Sequence, residues 1–287
     1  MAQEILKNLL PKFIQHLKDQ SRSPSTILAY RADLEQLLDY LQGKNKVSAE
    51  QCSQQDIEVF RDTLLNQKYT PKSVSRKLNA VKTFFRWLIA GKQLTINPAE
   101  SVAHPKIAPA MPKFLSPLEY RALRDVVRDD PRIAAIVELI LQTGLRISEV
   151  ANLKLANSKE SSLKVEAYAT QPERSTPLNK PAKEALDKYL KLRPKSNSPF
   201  VFVSKNGKPL AVRNIRAAID RYMQKAETGE YSVNDLRTTF IIENLKEGVD
   251  LVLLSQVAGH KRLSTTERYL ELAQVKEPGK KQALVEL

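Results

Sequence analysis

The chain has 287 residues, 42% of them hydrophobic, enough to bury the cores of two domains, which excludes a disordered polypeptide. Lys and Arg number 46 against 32 Asp and Glu, a net charge of +14 that points to a polyanionic partner, because phosphate neutralisation supplies most of the affinity for nucleic acid. The single cysteine, Cys52, excludes an internal disulfide, the three histidines (His16, His104, His260) stand too far apart to outline a zinc site, and the longest apolar stretch, 133–141, is too short to span a membrane.

No metal and no cofactor is therefore expected, and the chain reads as a cytoplasmic protein without a membrane segment. The basic excess is shared, +6 over residues 1–110 and +8 over 111–287, as a protein touching DNA with both halves requires. Only 8 glycines occur, which suits a mostly helical fold.

Residues 1–97 read as a small helical domain. Ile5 to Lys18 carries a helical apolar pattern. Ser23-Pro24 opens a second helix, with Ile27, Tyr30, Leu34, Leu37, Leu38 and Leu41 on one stripe and Gly43 closing it. A third helix runs from Gln54 to about Asn66. In the fourth, Thr70 caps, Pro71 takes the first helical position, and Val74, Leu78, Val81, Phe85 and Leu88 share one face. Lys72, Ser75, Arg76, Asn79, Thr83 and Arg86 fall on the opposite face, basic and polar without an acid, a candidate for phosphate contact.

Residues 98–116 read as a stiff interdomain linker, because five prolines fall from Pro98 to Pro117. The second domain, 117–287, opens on the capping box Ser116-Pro117-Leu118-Glu119. Helices are expected over 117–128, 131–143, 180–192, 211–226, 232–247, 250–258 and 264–271. Alternation at Leu163, Val165 and Ala167 gives a strand, and a second near 173–178 completes a hairpin. The fold class is thus mainly α with a small β-hairpin, in two domains.

Four short segments of the second domain carry the chemistry. They are Thr143-Gly144-Leu145-Arg146-Ile147-Ser148-Glu149, Asn234-Asp235-Leu236-Arg237-Thr238-Thr239-Phe240, Ala258-Gly259-His260, and Ser264-Thr265-Thr266-Glu267-Arg268-Tyr269. Singly, each has an ordinary structural explanation: Arg146 can pair with Glu149 one turn on, and Tyr269 can pack through its ring. In this order, with the tyrosine nine residues after the histidine, they resemble the tyrosine recombinases, or phage integrase family, and within it the Xer-like branch. The resemblance extends to Thr26-x-x-x-Tyr30 and to Leu78–Leu88 followed by Asn97-Pro98, so it covers nearly the whole chain.

That resemblance implies a helical, SAM-like core-binding domain and an α+β catalytic domain that clamp double-stranded DNA between them, with Thr26, Tyr30 and Arg174 added to the candidate DNA contacts. It implies that Tyr269 attacks the scissile phosphate, that a 5′-hydroxyl leaves, and that a 3′-phosphotyrosyl link is formed without ATP or metal. Arg146 and Arg237 match the arginines that hold the phosphate, His260 matches a third donor, and Glu149 matches an acid that braces the site. The residue types suit the reaction: charge gathers on the non-bridging oxygens, which a guanidinium grips bidentately. Relatives assemble as tetramers on paired sites and pass a C-terminal helix to a neighbour, so a homo- or hetero-tetramer with the 271–287 tail exchanged is expected.

Two positions depart from the pattern. Ala169 stands where the family places a hairpin lysine that protonates the leaving oxygen, and Asn234 stands where a histidine is common; an amide donates a hydrogen bond but takes up no proton. Lys164 lies five residues before Ala169, roughly 16 Å along a strand, and needs a different hairpin register to replace it. Arg174 is nearer but stays charged. Two functions remain open: a working recombinase, or a recombinase-like DNA-binding protein with little or no strand cleavage. The retained nucleophile and phosphate donors favour the enzyme.

Overall fold

The computed structural model describes residues 5–108, 111–158, 161–168, 171–275 and 279–287; Pro109, Ala169 and Pro278 lie outside them. The chain divides into two compact units, 1–110 and 111–287.

Local capping sets the helices of the first unit: α1 (Leu6–Asp19), α2 (Pro24–Gln42), α3 (Gln54–Asn66) and α4 (Pro71–Ala90). Ser23 accepts a hydrogen bond from Thr26 N–H and Thr70 from Ser73 N–H, each ahead of a proline whose missing N–H costs nothing there. Gly43 ends α2 with φ −62°, so the glycine is not the left-handed residue of that turn; Asn45 is, at φ 57°. The apolar faces of the four helices meet around Phe13, which sits edge-on to Phe84 at 5.3 Å and tilted against Trp87 at 5.5 Å. Truncating such a fully buried ring costs about 3–5 kcal/mol. Ala99 and Val102 are buried in this core, so the proline-rich segment is anchored to the first unit before it runs on.

The polar face of α4 is less simple than its sequence. Asp33 of α2, only 1% exposed, accepts from Arg76 and, at 3.0 Å, from Lys77, while Lys77 also donates to Gln36 at 2.7 Å. Arg86 faces Glu100 at 3.9 Å, and Ser75 hydrogen-bonds His104. A face without an acid of its own therefore borrows acids from its neighbours.

In the second unit, α6 (Pro131–Thr143) is apolar almost all round and buried, as a helix packed on several sides must be. It is covered by α5 (Pro117–Val127), α8 (Lys180–Leu192), α9 (Val212–Lys225) and α10 (Val233–Lys246). Two strands, β1 (Ser162–Val165) and β2 (Arg174–Pro177), pair antiparallel with Lys164 opposite Ser175 and Val165 opposite Arg174. Tyr168 and Gln171 continue that register by exchanging both backbone hydrogen bonds, at 3.1 and 2.9 Å. One short helix, α7 (Ile147–Ala151), was not anticipated from the sequence. After α11 (Leu251–Ala258), the single helix expected over 264–271 is two, α12 (Ser264–Glu267) and α13 (Leu270–Ala273), broken at Arg268–Tyr269.

Residues 279–287 lie extended along the same unit and form no helix. Asp250 N–H donates to Lys281 O and Lys281 N–H to Gly248 O; further on, Asn244 holds Val285 N–H and Gln142 both the N–H and the carbonyl of Leu287. Among the described residues no helix is long and apolar enough to cross a membrane.

Candidate active site

The site is assembled on the last turn of α11. Gly259 adopts φ 68° and turns the chain there; a Cβ at this position would lie 2.8 Å from the Arg174 guanidinium carbon, so glycine lets the arginine close in. The carbonyls of an α-helix's last turn lack intrahelical donors and carry its negative dipole end. Here three guanidiniums take them. Arg174 Nε donates to Val257 O at 2.9 Å, Arg237 Nη2 to Ala258 O at 2.7 Å, and Arg146 Nη2 to Gly259 O at 2.7 Å.

Each arginine reaches this point from a different element. Arg146 precedes α7, whose first turn folds so that Glu149 accepts Arg146 N–H at 2.8 Å and Arg146 Nη1 at 2.9 Å. Upstream, Gly144 ends α6 at φ 63°, with a Cβ there only 2.4 Å from the Phe240 ring; that close approach lets Gly144 O accept from Arg237 on α10. Arg174 starts β2 and grips Glu149 bidentately, 2.8 Å to each oxygen, with its side chain 10% exposed. Three of its five N–H groups are thus spent on protein, which makes Arg174 a brace of the site as well as a candidate DNA contact.

Glu149 is the one carboxylate among these three cations. Burial pushes its carboxyl up, but the hydrogen bonds from Arg174 and from Arg146 N–H, with both guanidinium charges, outweigh burial and hold it below the ordinary range. Arg237 is drawn down to about 9, by burial first and then by Arg146, and stays protonated at neutral pH.

His260 follows Gly259 directly. Its N–H donates to Ser255 O at 2.9 Å, its Nδ1 lies 2.8 Å from Thr266 Oγ1, and its ring stacks on Tyr269 with centroids 6.3 Å apart and planes 13° from parallel. Burial, then the charges of Arg237, Arg146, Arg174 and Arg268, lower its pKa to about 4, so the imidazole is neutral at pH 7. Tyr269 sits at the break between α12 and α13, half-buried, with its N–H on Thr266 O at 2.9 Å. Arg146, Arg237, His260, Tyr269 and Glu149 are thus brought together. Each guanidinium carries five N–H groups, and the hydrogen bonds above leave Arg146 and Arg237 with N–H groups to spare.

Asn234 lies one helical turn before Arg237, exposed, with its backbone carbonyl accepting from Thr238. Lys164 is held by Glu173 at 3.0 Å, and the single hairpin register keeps it away from the tip, where Ala169 lies outside the described residues. In the first unit, Lys72, Arg76, Asn79 and Arg86 are exposed, while Thr83 turns its hydroxyl back to Asn79 O. Thr26 sits in the first turn of α2 against Ser23, and the Tyr30 ring stacks on Phe13 at 6.5 Å. Sequence reasoning missed the roles of Arg174 and Thr266, whose partners are set by folding.

Comparison with known proteins agrees with this geometry. The model of the phage integrase family matches residues 113–275, and that of the phage integrase N-terminal SAM-like domain matches 10–92. The tyrosine recombinase XerC of Myxococcus xanthus is 32% identical over 286 residues, covering 93% of this chain and 94% of its own length; that of Thermodesulfovibrio yellowstonii is 31% identical, covering 91% and 90%. A lambda integrase dimer bound to a core site shares the fold, with a TM-score of 0.76 at 17% identity over 98% of this chain and 81% of that one. With both family models matched in order and the relatives aligned end to end, the chain belongs to the phage integrase family of tyrosine recombinases.

Proposed function

We propose that this chain is a site-specific DNA recombinase in which Tyr269 cuts and rejoins double-stranded DNA through a 3′-phosphotyrosyl intermediate. The observation that carries the reading is the stacking of His260 on Tyr269 beside two arginines with N–H groups to spare. Tyr269 Oη gives up its proton to water and bonds to phosphorus, the bond to the 5′-oxygen breaks, and that oxygen takes a proton from water as it leaves, so no net proton is gained or lost. Arg146 and Arg237 hold the non-bridging oxygens and His260 donates to one of them, positions fixed before substrate arrives. A 5′-hydroxyl from a partner strand reverses the step. The exposed face of α4 contacts phosphates, with Lys72 and Arg86 the least encumbered cations. Assembly as a tetramer on paired sites, with 279–287 exchanged between neighbours, rests on the same reading; unchanged assembly after deleting that segment would exclude the exchange.

The test is covalent adduct formation on the native DNA site, once selected from genomic fragments. Wild type yields an SDS-resistant adduct, and Tyr269→Phe yields none while binding with nearly unchanged affinity. An adduct in the variant would move the nucleophile elsewhere. A 5′-bridging sulfur leaves without a proton, so adduct on that substrate alone would assign the defect to the missing lysine at Ala169.

A further inference from the structure

Thr266 belongs to no recognised part of the chemistry above, yet it is 0% exposed and its hydroxyl touches the active-site histidine. The only hydrogen-bond partner of Thr266 Oγ1 among the described residues is His260 Nδ1, at 2.8 Å. Three of the five other buried threonines described in this unit send their hydroxyl proton to the carbonyl four residues back, Thr143 to Leu139 O, Thr238 to Asn234 O and Thr239 to Asp235 O, while Thr228 donates to Met223 O and Thr176 has no partner among the described residues. Thr266 does not donate four residues back, because α12 begins only at Ser264 and offers no helical carbonyl at that offset.

The large majority of buried hydroxyls place their proton on an acceptor, since leaving it unpaired costs about 1–3 kcal/mol. If His260 Nδ1 carried the hydrogen and Thr266 accepted it, the hydroxyl proton would be left with no acceptor among the described residues, on a residue with no solvent exposure. The opposite direction satisfies both groups. We propose that Thr266 is a positioning residue that fixes the tautomer of His260, donating to Nδ1 so that the ring's one N–H is carried on Nε2. Nε2 has no partner among the described residues, so it remains available as a donor to the phosphate. The neutrality of the imidazole at pH 7 gives the tautomer its importance, since a neutral ring has a single N–H to offer. The hydroxyl bond, the stack on Tyr269 and the backbone bond to Ser255 hold the ring in one orientation.

This inference rests on His260 as a phosphate donor, but its first test does not. In the DNA-free full chain labelled with 15N-histidine, long-range 1H–15N correlations at neutral pH read the tautomer directly. Three histidines give few signals, and His260→Asn assigns the one that matters. The expected result is a protonated Nε2 and an accepting Nδ1; a protonated Nδ1 would overturn the proposal. Thr266→Val keeps the shape and loses the hydroxyl, and Thr266→Ser keeps the hydroxyl. Adduct formation is expected to slow by about 10–100-fold in the valine variant, with DNA affinity unchanged, and to stay within a few-fold of wild type in the serine variant. A folded valine variant cutting at the wild-type rate, or a serine variant as slow as valine, would refute it. A wild type with protonated Nε2 that forms no adduct would uphold Thr266 and count against cleavage alone.

Discussion

Each unit of this protein sets a carboxylate among more bases than acids, and the two clusters do different work. Around Asp33 in the first unit, Arg76 and Lys77 converge on a fully buried acid, and Lys77 also has Gln36. That cluster binds α2 to α4 and spends its hydrogen bonds internally. Around Glu149 in the second unit, three arginines face one acid, and helix carbonyls of α11 supply the remaining acceptors. Backbone dipoles hold the guanidiniums without neutralising them, so positive charge is left over. A buried ion cluster spends its cations internally where side-chain acceptors meet them, and leaves positive charge over where helix carbonyls stand in for acids.

Asp33→Ala attacks the first cluster. It leaves Lys77 buried without its carboxylate, and urea unfolding should show a loss of about 3 kcal/mol. Cleavage per folded molecule should be unchanged; a matched loss of rate would mean that the first cluster serves the chemistry too. Arg237→Ala attacks the second. Adduct formation should fall by about 10²–10³-fold, equivalent to about 2.7–4 kcal/mol, at DNA affinity within a few-fold of wild type. A tenfold loss or less would place Arg237 among the structural arginines with Arg174.

Acidity sharpens the contrast further. Because the folded pKa of His260, about 4, lies below its unfolded value, the folded state binds fewer protons, and stability present above pH 6.5 is lost as pH falls toward 4. Melting between pH 6.5 and 5 should therefore show a decline that His260→Asn reduces. His104, also lowered by burial and then by Lys82, leaves a residual slope in the variant. An equal decline in variant and wild type would mean that His260 is not held neutral. The smallest effect is Arg86→Ala, which should flatten the dependence of DNA affinity on salt by about 0.9 in log–log slope. No change would return that face of α4 to ordinary solvated surface.

Much of the fold was legible because its signals are local. The proline-and-cap pairs at Ser23, Thr70 and Ser116 start helices where they stand, and the range of α3 follows from its pattern alone. The break at Arg268–Tyr269 was not legible: Thr-Glu-Arg-Tyr-Leu-Glu-Leu contains no glycine or proline. The ring of Tyr269 stacks on His260 and its N–H bonds three residues back, to Thr266, as the chain leaves the helix. The pairing of Arg174 with Glu149 was not legible for a related reason, the carboxylate being 25 residues away. The acids that meet the acid-free face of α4 were not legible either, because Asp33 and Glu100 come from elsewhere in the fold. The motif residues and the local partner Glu149 could be read in advance; the distant groups that hold them, Arg174 and the α11 carbonyls, could not.

The arginines stacked on the end of α11 also make the protein's stability depend on what it binds. Three cations beside one carboxylate raise the free energy of the folded state whenever no anion is present. A ligand that binds only the folded form stabilises it by mass action, by about 2.7 kcal/mol at a hundredfold excess over its dissociation constant. If the proposed function holds, DNA is the counterion that the fold leaves out. Molecules seated on DNA should outlast unbound copies under heat and proteolysis, and the working population would be enriched by survival as well as by affinity.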